Sequence, residues 1–269
     1  MKILFWQWHS FMGKGMERAL HRLNIAYDTF FYQMNDWETD DRFAEQLEKR
    51  ISQQAYDAVI SINFNPVISD VCQNHKLPYR AWVYDSPIHI RNVQALKNSY
   101  TKVYFFDRGQ AEEYQRQGIN AGYLPLAADV ETFYPVAVTE VDKKEYGAEI
   151  SLVGKLYQTV YPQYMAPFKC SKVNLNISLK TIRTGIPLRI LDILASGGFV
   201  ISNFQEELAE YFRLGEEIIT YGDIEELYYL VNYYLQHEEE RKEIAARGLQ
   251  RVKDDFRFEE RMKVILEDL

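Results

Sequence analysis

The sequence predicts an α/β fold made of two Rossmann-like domains with parallel sheets. Short apolar runs alternate with amphipathic stretches over the first 130 residues, and a similar alternation returns after a polar segment near residue 140. Strands that alternate with helices form parallel sheets covered on both faces. The length of 269 residues allows two modest domains or one large one, and the polar break favours two.

The first predicted domain covers residues 1–130. Phe43, Leu47 and Ile51 repeat at every fourth position behind the acidic segment 36–41, which is typical of a helix with a core-facing stripe. The apolar runs predict strands at residues 2–8, 27–32, 58–62, 81–84, 103–106 and 122–126.

A polar break predicts a linker at residues 131–147, followed by a second domain at residues 148–257. The predicted strands of this domain are 149–154, 173–177, 198–202 and 217–220, and its predicted helices are 187–196, 224–236 and 239–252. Residues 258–269 predict a final helix. Met262, Ile265 and Leu269 give it an apolar stripe that could pack back on the first domain.

The composition excludes several classes of protein. A formal net charge of −8 disfavours broad attachment to nucleic acid or to anionic lipid. No apolar run approaches the roughly 20 residues of a membrane span, so we expect a cytoplasmic chain without stable membrane insertion. Cys72 and Cys170 stand far apart, without the paired Cys and His spacing of a zinc site, and we predict no metal.

The most informative segment is the predicted helix at residues 187–196. Its residues are almost all apolar, which predicts a buried helix, but Arg189, Asp192 and Ser196 share one stripe. Charges on a buried helix must be paired or must face a ligand. An internal ion pair between Arg189 and Asp192 is the structural alternative. The position of the helix favours a ligand, because open α/β sheets bind ligands where strands end and helices begin.

A family resemblance supports this interpretation. The run from Gly185 through Asp192 and the Gly197-Gly198 turn to Asn203 resembles the C-terminal half of CgeB-like, spore-maturation-type glycosyltransferases, which belong to the GT-B superfamily. The resemblance continues through residues 207–221 and 237–248, and it covers roughly the last hundred residues. It implies that the first domain lies on the acceptor side and that the second binds a nucleotide-sugar donor in the cleft between the two.

The resemblance also implies roles for individual residues. Arg189 would meet the donor diphosphate and Asp192 the ribose hydroxyls. A leaving diphosphate gains negative charge, which arginine, lysine and helix-terminal N–H groups can offset without a metal or other cofactor. The remaining residues implied to bind the donor phosphates and sugar are Gly154, Lys155, Lys180, Gly185, Asn203, Gln205 and Glu206.

The sequence departs from the family pattern in two places. Many retaining relatives carry two glutamates eight positions apart around this helix, where this chain has Thr184 and Asp192. A threonine cannot act as an acid. In addition, only about twenty residues separate Gly154 from Val173, so the second domain is predicted to be shortened.

Two residues of the first domain are candidate catalytic bases. His9 follows the first predicted strand, and Asp85 follows the strand at residues 81–84, so both are expected at a ligand-binding edge of the sheet. The structural alternatives are a satisfied histidine and an Asp-Ser-Pro turn with a helix cap. Gly13-Lys14-Gly15 lacks the rest of a phosphate-binding loop and favours a flexible acceptor loop.

The sequence therefore predicts a glycosyltransferase that moves a sugar from a nucleotide-sugar donor to a hydroxyl on a polysaccharide, glycolipid or protein. One alternative is a catalytically inactive relative that binds a nucleotide or a carbohydrate. Another is a dinucleotide-binding protein such as an oxidoreductase. The first strand-to-helix turn argues against it, because this turn has no Gly-x-Gly-x-x-Gly and no acidic partner at the expected distance.

Overall fold

A computed structural model describes residues 1–10, 12–152 and 165–269 of the chain. Within these residues the chain divides into two compact units. Unit 1 contains residues 1–125 and 258–269, and unit 2 contains residues 126–257. Each unit is built on its own parallel sheet, so the predicted α/β fold with parallel sheets is confirmed.

Unit 1 carries a sheet whose described strands number six. All of its pairs are parallel, in the order β2-β1-β3-β4-β5-β6. A 3₁₀ helix at Val93–Lys97 lies between β4 and β5. In chain order the elements are β1 Lys2–Gln7, α1 Gly13–Arg22, β2 Ala26–Phe31, α2 Asp41–Gln53, β3 Ala58–Ile62, α3 Pro66–His75, β4 Tyr79–Val83, β5 Thr101–Phe105, α4 Arg108–Arg116 and β6 Ala121–Tyr123.

A side-chain hydrogen bond explains where α2 begins. Asp40 accepts a hydrogen bond from the Phe43 N–H at 2.9 Å and so caps α2, as the acidic segment before this helix predicts. Phe43 is fully buried and its ring lies 5.3 Å from that of Trp6, which β1 places in the same core. The helix stripe and the strand face therefore meet in one apolar cluster.

Unit 2 carries the second sheet, whose four described strands are parallel in the order β10-β9-β8-β7. A helix stands in the predicted linker, where the side chain and backbone of Thr139 exchange hydrogen bonds with Asp142 as a capping box. The elements are α5 Glu140–Tyr146, β7 Ala148–Ser151, α6 Met165–Cys170, β8 Ser171–Asn176, α7 Leu188–Ala195, β9 Val200–Asn203, α8 Glu206–Tyr211, β10 Ile219–Tyr221, α9 Ile224–Gln236 and α10 Glu238–Asp255.

The final helix α11, Phe258–Glu267, belongs to unit 1. It packs on α1, where a Cβ added to Gly15 would lie 2.5 Å from the Phe258 ring. The same ring meets Trp82 of β4 edge to face at 6.0 Å. Asp268 forms an ion pair with Lys102 at 2.9 Å. The predicted return of this helix to the first domain is confirmed. No helix in the described part of the chain is long and apolar enough to cross a membrane.

Candidate functional site

The site in unit 2 is built where β8 and β9 end. β8 ends at Asn176 and β9 ends at Asn203, in neighbouring parallel strands. The Asn203 Oδ1 accepts a hydrogen bond of 2.7 Å from the Ser178 N–H, which fixes the first turn of the segment that leads from β8 to α7. The carboxyl ends of parallel strands are the usual ligand edge of such a sheet.

Asn176 carries a buried acceptor that no described residue satisfies. Its side chain is fully buried, and its Nδ2 donates to Ser178 Oγ at 3.1 Å and to Ser202 Oγ at 2.9 Å. Because the Ser202 hydroxyl donates its own hydrogen to the Asn203 carbonyl at 3.1 Å, it must accept from Asn176. Among the described residues, the Asn176 Oδ1 has no donor. A buried acceptor without a donor costs about 1–3 kcal/mol, so this oxygen is a candidate contact for a bound molecule.

Sequence reasoning did not identify Asn176. A signal was present, because Asn174 and Asn176 occupy alternate positions of β8, next to the apolar Val173 and Leu175. Alternate residues of a strand point to the same face, and amides on a covered face need partners. Asn174 meets this need inside the protein, since its Nδ2 donates to the Phe168 and Phe199 carbonyls. Among the described residues, Asn176 has partners for its Nδ2 but not for its Oδ1.

The polar residues of α7 differ in whether their side chains have hydrogen-bond partners within the described part of the protein. The Ser196 hydroxyl donates to the Asp192 carbonyl at 2.8 Å, so it is satisfied within the helix and does not need a ligand. Arg189 lies half-buried in the first turn and forms no hydrogen bond or ion pair with a described residue. The internal Arg189–Asp192 ion pair, the structural alternative to a ligand, is therefore not formed between these residues.

Asp192 lies in an unfavourable place for a negative charge. Burial raises the pKa of Asp192 well above its usual range, and the nearby carboxylate of Asp129 raises it further. The positive charge of Arg189 partly opposes both effects. Asp129 is held in place because its two side-chain oxygens accept from the Thr132 N–H and hydroxyl, at 3.1 and 2.8 Å. A carboxyl group with a raised pKa can donate as well as accept a hydrogen bond.

Thr184 is held by an acid from the next helix. Its hydroxyl donates to Glu207 Oε1 at 2.8 Å, and the Glu207 N–H donates to the Thr184 carbonyl at 3.2 Å. Glu207 is 1% exposed, so a buried carboxylate lies beside Thr184. The sequence contains Glu207 but gives no spacing signal that joins it to Thr184.

The other predicted donor-binding residues differ in exposure. Gly185 and Gln205 are buried, whereas Lys180 and Glu206 are exposed, and Glu206 begins α8. Asn203 uses its amide to hold Ser178. The predicted residues Gly154 and Lys155 lie outside the described residues.

The two candidate bases belong to unit 1 and have different neighbours. His9 is exposed, its N–H donates to Gln33 Oε1 at 3.3 Å, and its ring meets Phe31 edge to face at 5.1 Å. The Asp85 carboxylate accepts from Asn63 Nδ2 at 2.6 Å.

Burial raises the pKa of Asp85, although the hydrogen bond from Asn63 and the charge of His89 oppose the increase. A raised pKa brings a carboxylate closer to the range that suits a general base. Within residues 1–10, 12–152 and 165–269, no cluster of three or more His, Cys, Asp or Glu side chains could hold a metal ion.

The turn after β1 contains two buried polar atoms that lack a described partner. They are the Gln7 Nε2 and the Ser10 Oγ. Both lie near the start of α1, since a Cβ added to Gly13 would be 3.4 Å from the Ser10 hydroxyl and 3.7 Å from the Gln7 amide nitrogen. The strand-to-helix turn that carries His9 therefore offers polar groups to a bound molecule or to water.

The chain is similar in sequence to one family of known proteins over part of its length. A family model described as Glycosyl transferase-like matches residues 136–267, just under half of the chain. No protein of curated function matches the chain in sequence.

Several solved structures share the fold over nearly the whole chain, at low sequence identity. HepE from Anabaena in complex with UDP has a TM-score of 0.64 at 11% identity, covering 100% of both chains. Sucrose-phosphate synthase from Thermosynechococcus elongatus has a TM-score of 0.68 at 12% identity, covering 100% of this chain and 98% of the other. A glycosyltransferase from Rickettsia africae has a TM-score of 0.69 at 11% identity, covering 99% and 97%. The chain thus has the α/β fold with two parallel sheets found in the GT-B glycosyltransferases.

Proposed function

We propose that this protein is a glycosyltransferase that takes a sugar from a nucleotide-sugar donor and transfers it to a hydroxyl acceptor. The observation that carries the proposal is Arg189, a half-buried cation without a described hydrogen bond or ion pair. It stands in the first turn of α7, at the edge where the sheet of unit 2 ends. A desolvated cation in such a place is suited to an anion, and a nucleotide diphosphate is one.

The start of α7 adds a second positive feature. Pro187 precedes the helix and offers no side-chain cap, so the first N–H groups of α7 are not satisfied by a capping side chain. In the proposed reaction the bond between the sugar and the diphosphate breaks, and negative charge grows on the departing diphosphate. Arg189 and the helix-terminal N–H groups offset that charge, in a step that uses no metal.

Asp192 and Asn176 are proposed to orient the donor. The Asp192 carboxyl group, which stands one turn after Arg189 on α7, is proposed to hydrogen-bond the ribose hydroxyls. The unsatisfied Asn176 Oδ1 is an acceptor for a hydroxyl or an imide N–H of the same molecule. Lys180, Gly185, Asn203, Gln205 and Glu206 complete the proposed donor site.

The acceptor is proposed to be a hydroxyl of a polysaccharide, glycolipid or protein. An inverting reaction requires a base, for which we propose Asp85 or His9, and a retaining reaction does not. The ordered run from Gly185 to Gly248 supports a place in the CgeB-like family. We also propose that unit 2 is a reduced donor domain, since only about twenty residues separate Gly154 from Val173 in the sequence.

Binding and turnover can be tested separately. Calorimetry with UDP, GDP, dTDP and NAD should give saturable binding for one nucleoside diphosphate, and the matching nucleotide sugars should release free sugar slowly. Arg189→Ala should weaken binding by about tenfold or more, since a charge-assisted hydrogen bond contributes roughly 1.5–3 kcal/mol. Arg189→Lys should give an intermediate affinity because it keeps the charge but loses the planar fork.

Lys144→Ala is the matched control, because Lys144 is an exposed cation of the same unit. Equal affinities for Arg189→Ala and Lys144→Ala would refute the site. Binding without any sugar release or transfer would favour the inactive nucleotide-binding relative, and preference for NAD would contradict the proposal.

A further inference from the structure

A second pocket lies in unit 2, where strands β8 and β9 begin. Its volume is about 510 Å³. It is lined by the end of α6, by the residues where β8 and β9 begin, by the Gly197-Gly198 turn after α7 and by the first turns of α10. Asn176 and Asn203 are the last residues of the same two strands. The pocket therefore lies at the opposite strand ends and is separate from the proposed donor site.

The charged side chains of the pocket lining are mostly basic. Four cations and one acid line it, namely Lys169, Lys172, Arg241, Lys242 and Glu238. Two of the cations have carboxylate partners. Lys172 pairs with Glu149 at 3.1 Å, and Lys242 pairs with Glu238 and Glu239, both at 2.8 Å.

The other two cations have only backbone carbonyls as partners. Arg241 is 7% exposed and one guanidinium nitrogen donates to the Tyr234 carbonyl. Lys169 donates to the Gly197 carbonyl at 3.0 Å, and burial lowers the pKa of its ammonium. Neither forms an ion pair with any carboxylate in the described ranges. Arg241 is a buried cation without an ion pair in the described ranges, and the more exposed Lys169 adds a second positive charge to the same pocket. An anion bound in this pocket would offset the cost of burying Arg241.

We propose that this pocket binds a phosphorylated small molecule. Its phosphate accepts from Arg241 and Lys169, and Lys172 and Lys242 line the same pocket. Its organic part packs on the apolar wall that Pro135 and Leu249 contribute. A phosphate monoester carries up to two negative charges and several acceptor oxygens, which matches a guanidinium beside an ammonium. The volume suits a ligand of sugar-phosphate size, and a net charge of −8 disfavours an extended polyanion.

The reaction rate of the Cys170 thiol can report whether a ligand occupies the pocket. Cys170 lines the pocket and is partly exposed, whereas the other cysteine, Cys72, is fully buried. Burial raises the pKa of both thiols, so access of the reagent to the sulfur decides which of them reacts. An aromatic disulfide reagent should therefore react with Cys170 alone, by attack of its thiolate and release of the coloured aromatic thiolate. Glucose 6-phosphate should slow this reaction in a saturable manner, through exclusion of the reagent and through added negative charge.

Two variants test which residues hold the phosphate. Lys169→Gln should raise the ligand concentration for half-protection by about tenfold, because a charge-assisted bond is lost. Lys253→Gln, an exposed position of α10, removes the same charge outside the pocket and should leave protection unchanged. Arg241→Lys, which keeps a buried cation, should weaken protection but retain saturation.

Several results would overturn the proposal. One is equal slowing by potassium chloride at matched ionic strength, which would indicate screening alone. Another is unchanged protection in Lys169→Gln. A third is loss of protection when UDP is added, which would assign the phosphate to the donor site. None of these readings depends on sugar transfer.

Discussion

The Thr184 hydroxyl donates a hydrogen bond of 2.8 Å to Oε1 of Glu207. Thr184 stands where many retaining relatives carry a glutamate, so the chain lacks an acid at that position of the sequence. Glu207, at the start of α8, places a buried carboxylate beside Thr184. The hydrogen bond therefore joins the segment before α7 to α8.

The Thr184–Glu207 contact should contribute to stability. Thr184→Val removes the donor while keeping the branched shape, and we expect a loss of about 1–3 kcal/mol in the free energy of unfolding, because a buried carboxylate loses one of its donors. Urea denaturation measures this loss. Thr184→Ser keeps the hydroxyl and should recover most of it, and equal losses for the two variants would show that packing decides the effect.

Asp192→Asn should stabilise the protein and weaken donor binding. An acid whose pKa is raised by folding binds more protons in the native state, so its contribution to stability falls as pH rises from its ordinary pKa of about 3.9 toward the raised value. Removing the charge should therefore increase stability at pH 8 more than at pH 4.5. Urea denaturation at both pH values, with UDP calorimetry, measures the two effects. A variant that is less stable at pH 8 would contradict the assignment.

Glu217→Gln should show the opposite pH dependence. Glu217 is almost fully buried and pairs with Arg213 at 2.9 Å and with Arg251 at 3.0 Å. Burial raises the pKa of Glu217, but the hydrogen bonds from both arginines outweigh burial and the net pKa is lowered. Its contribution is present above its ordinary pKa and is lost as pH falls through the lowered value.

We expect Glu217→Gln to lower the free energy of unfolding by about 3 kcal/mol at pH 7 and by less at pH 3. Denaturation at the two pH values tests this expectation. Glu216→Gln is the control, because the neighbouring Glu216 is an exposed residue whose ion pair with Arg213 should contribute little. A loss that does not change with pH would contradict the ionic explanation.

Gly15 should tolerate no side chain while Phe258 is present. In Gly15→Ala the new Cβ would lie 2.5 Å from the Phe258 ring, and we expect a loss of about 1–3 kcal/mol from this overpacking, set against a helix-propensity gain of up to about 1 kcal/mol. Gly13→Ala is the matched control, since its Cβ meets nothing closer than 3.4 Å. Combining Gly15→Ala with Phe258→Leu should recover stability, and strictly additive losses in calorimetric melting would argue against the contact.

The strands of the fold could be predicted from apolar periodicity, because parallel strands are covered on both faces and stand out as apolar runs. The run at residues 58–62 coincides with β3, and the helix at Ile224–Gln236 was predicted with its observed bounds. The helix α5 was not predicted, since none of its residues is buried and a helix without an apolar face leaves no periodic signal.

The site was predictable where it depended on neighbours in sequence. The placement of Arg189 and Asp192 on α7 follows from helical spacing. The Thr184–Glu207 hydrogen bond depends on how α8 packs, and the Asn176–Ser202 hydrogen bond depends on how β9 pairs with β8. Sequence spacing does not encode that packing, so it did not single out Glu207 and Asn176.

Unit 1 is discontinuous along the chain, because residues 126–257 separate β6 from α11. During synthesis on a ribosome, the sheet of unit 1 emerges well before the helix whose Phe258 fills the space beside Gly15. The nascent N-terminal segment must therefore wait for unit 2 to be translated before α1 is covered. In the meantime the apolar surface around Gly15 and Trp82 stays uncovered by Phe258.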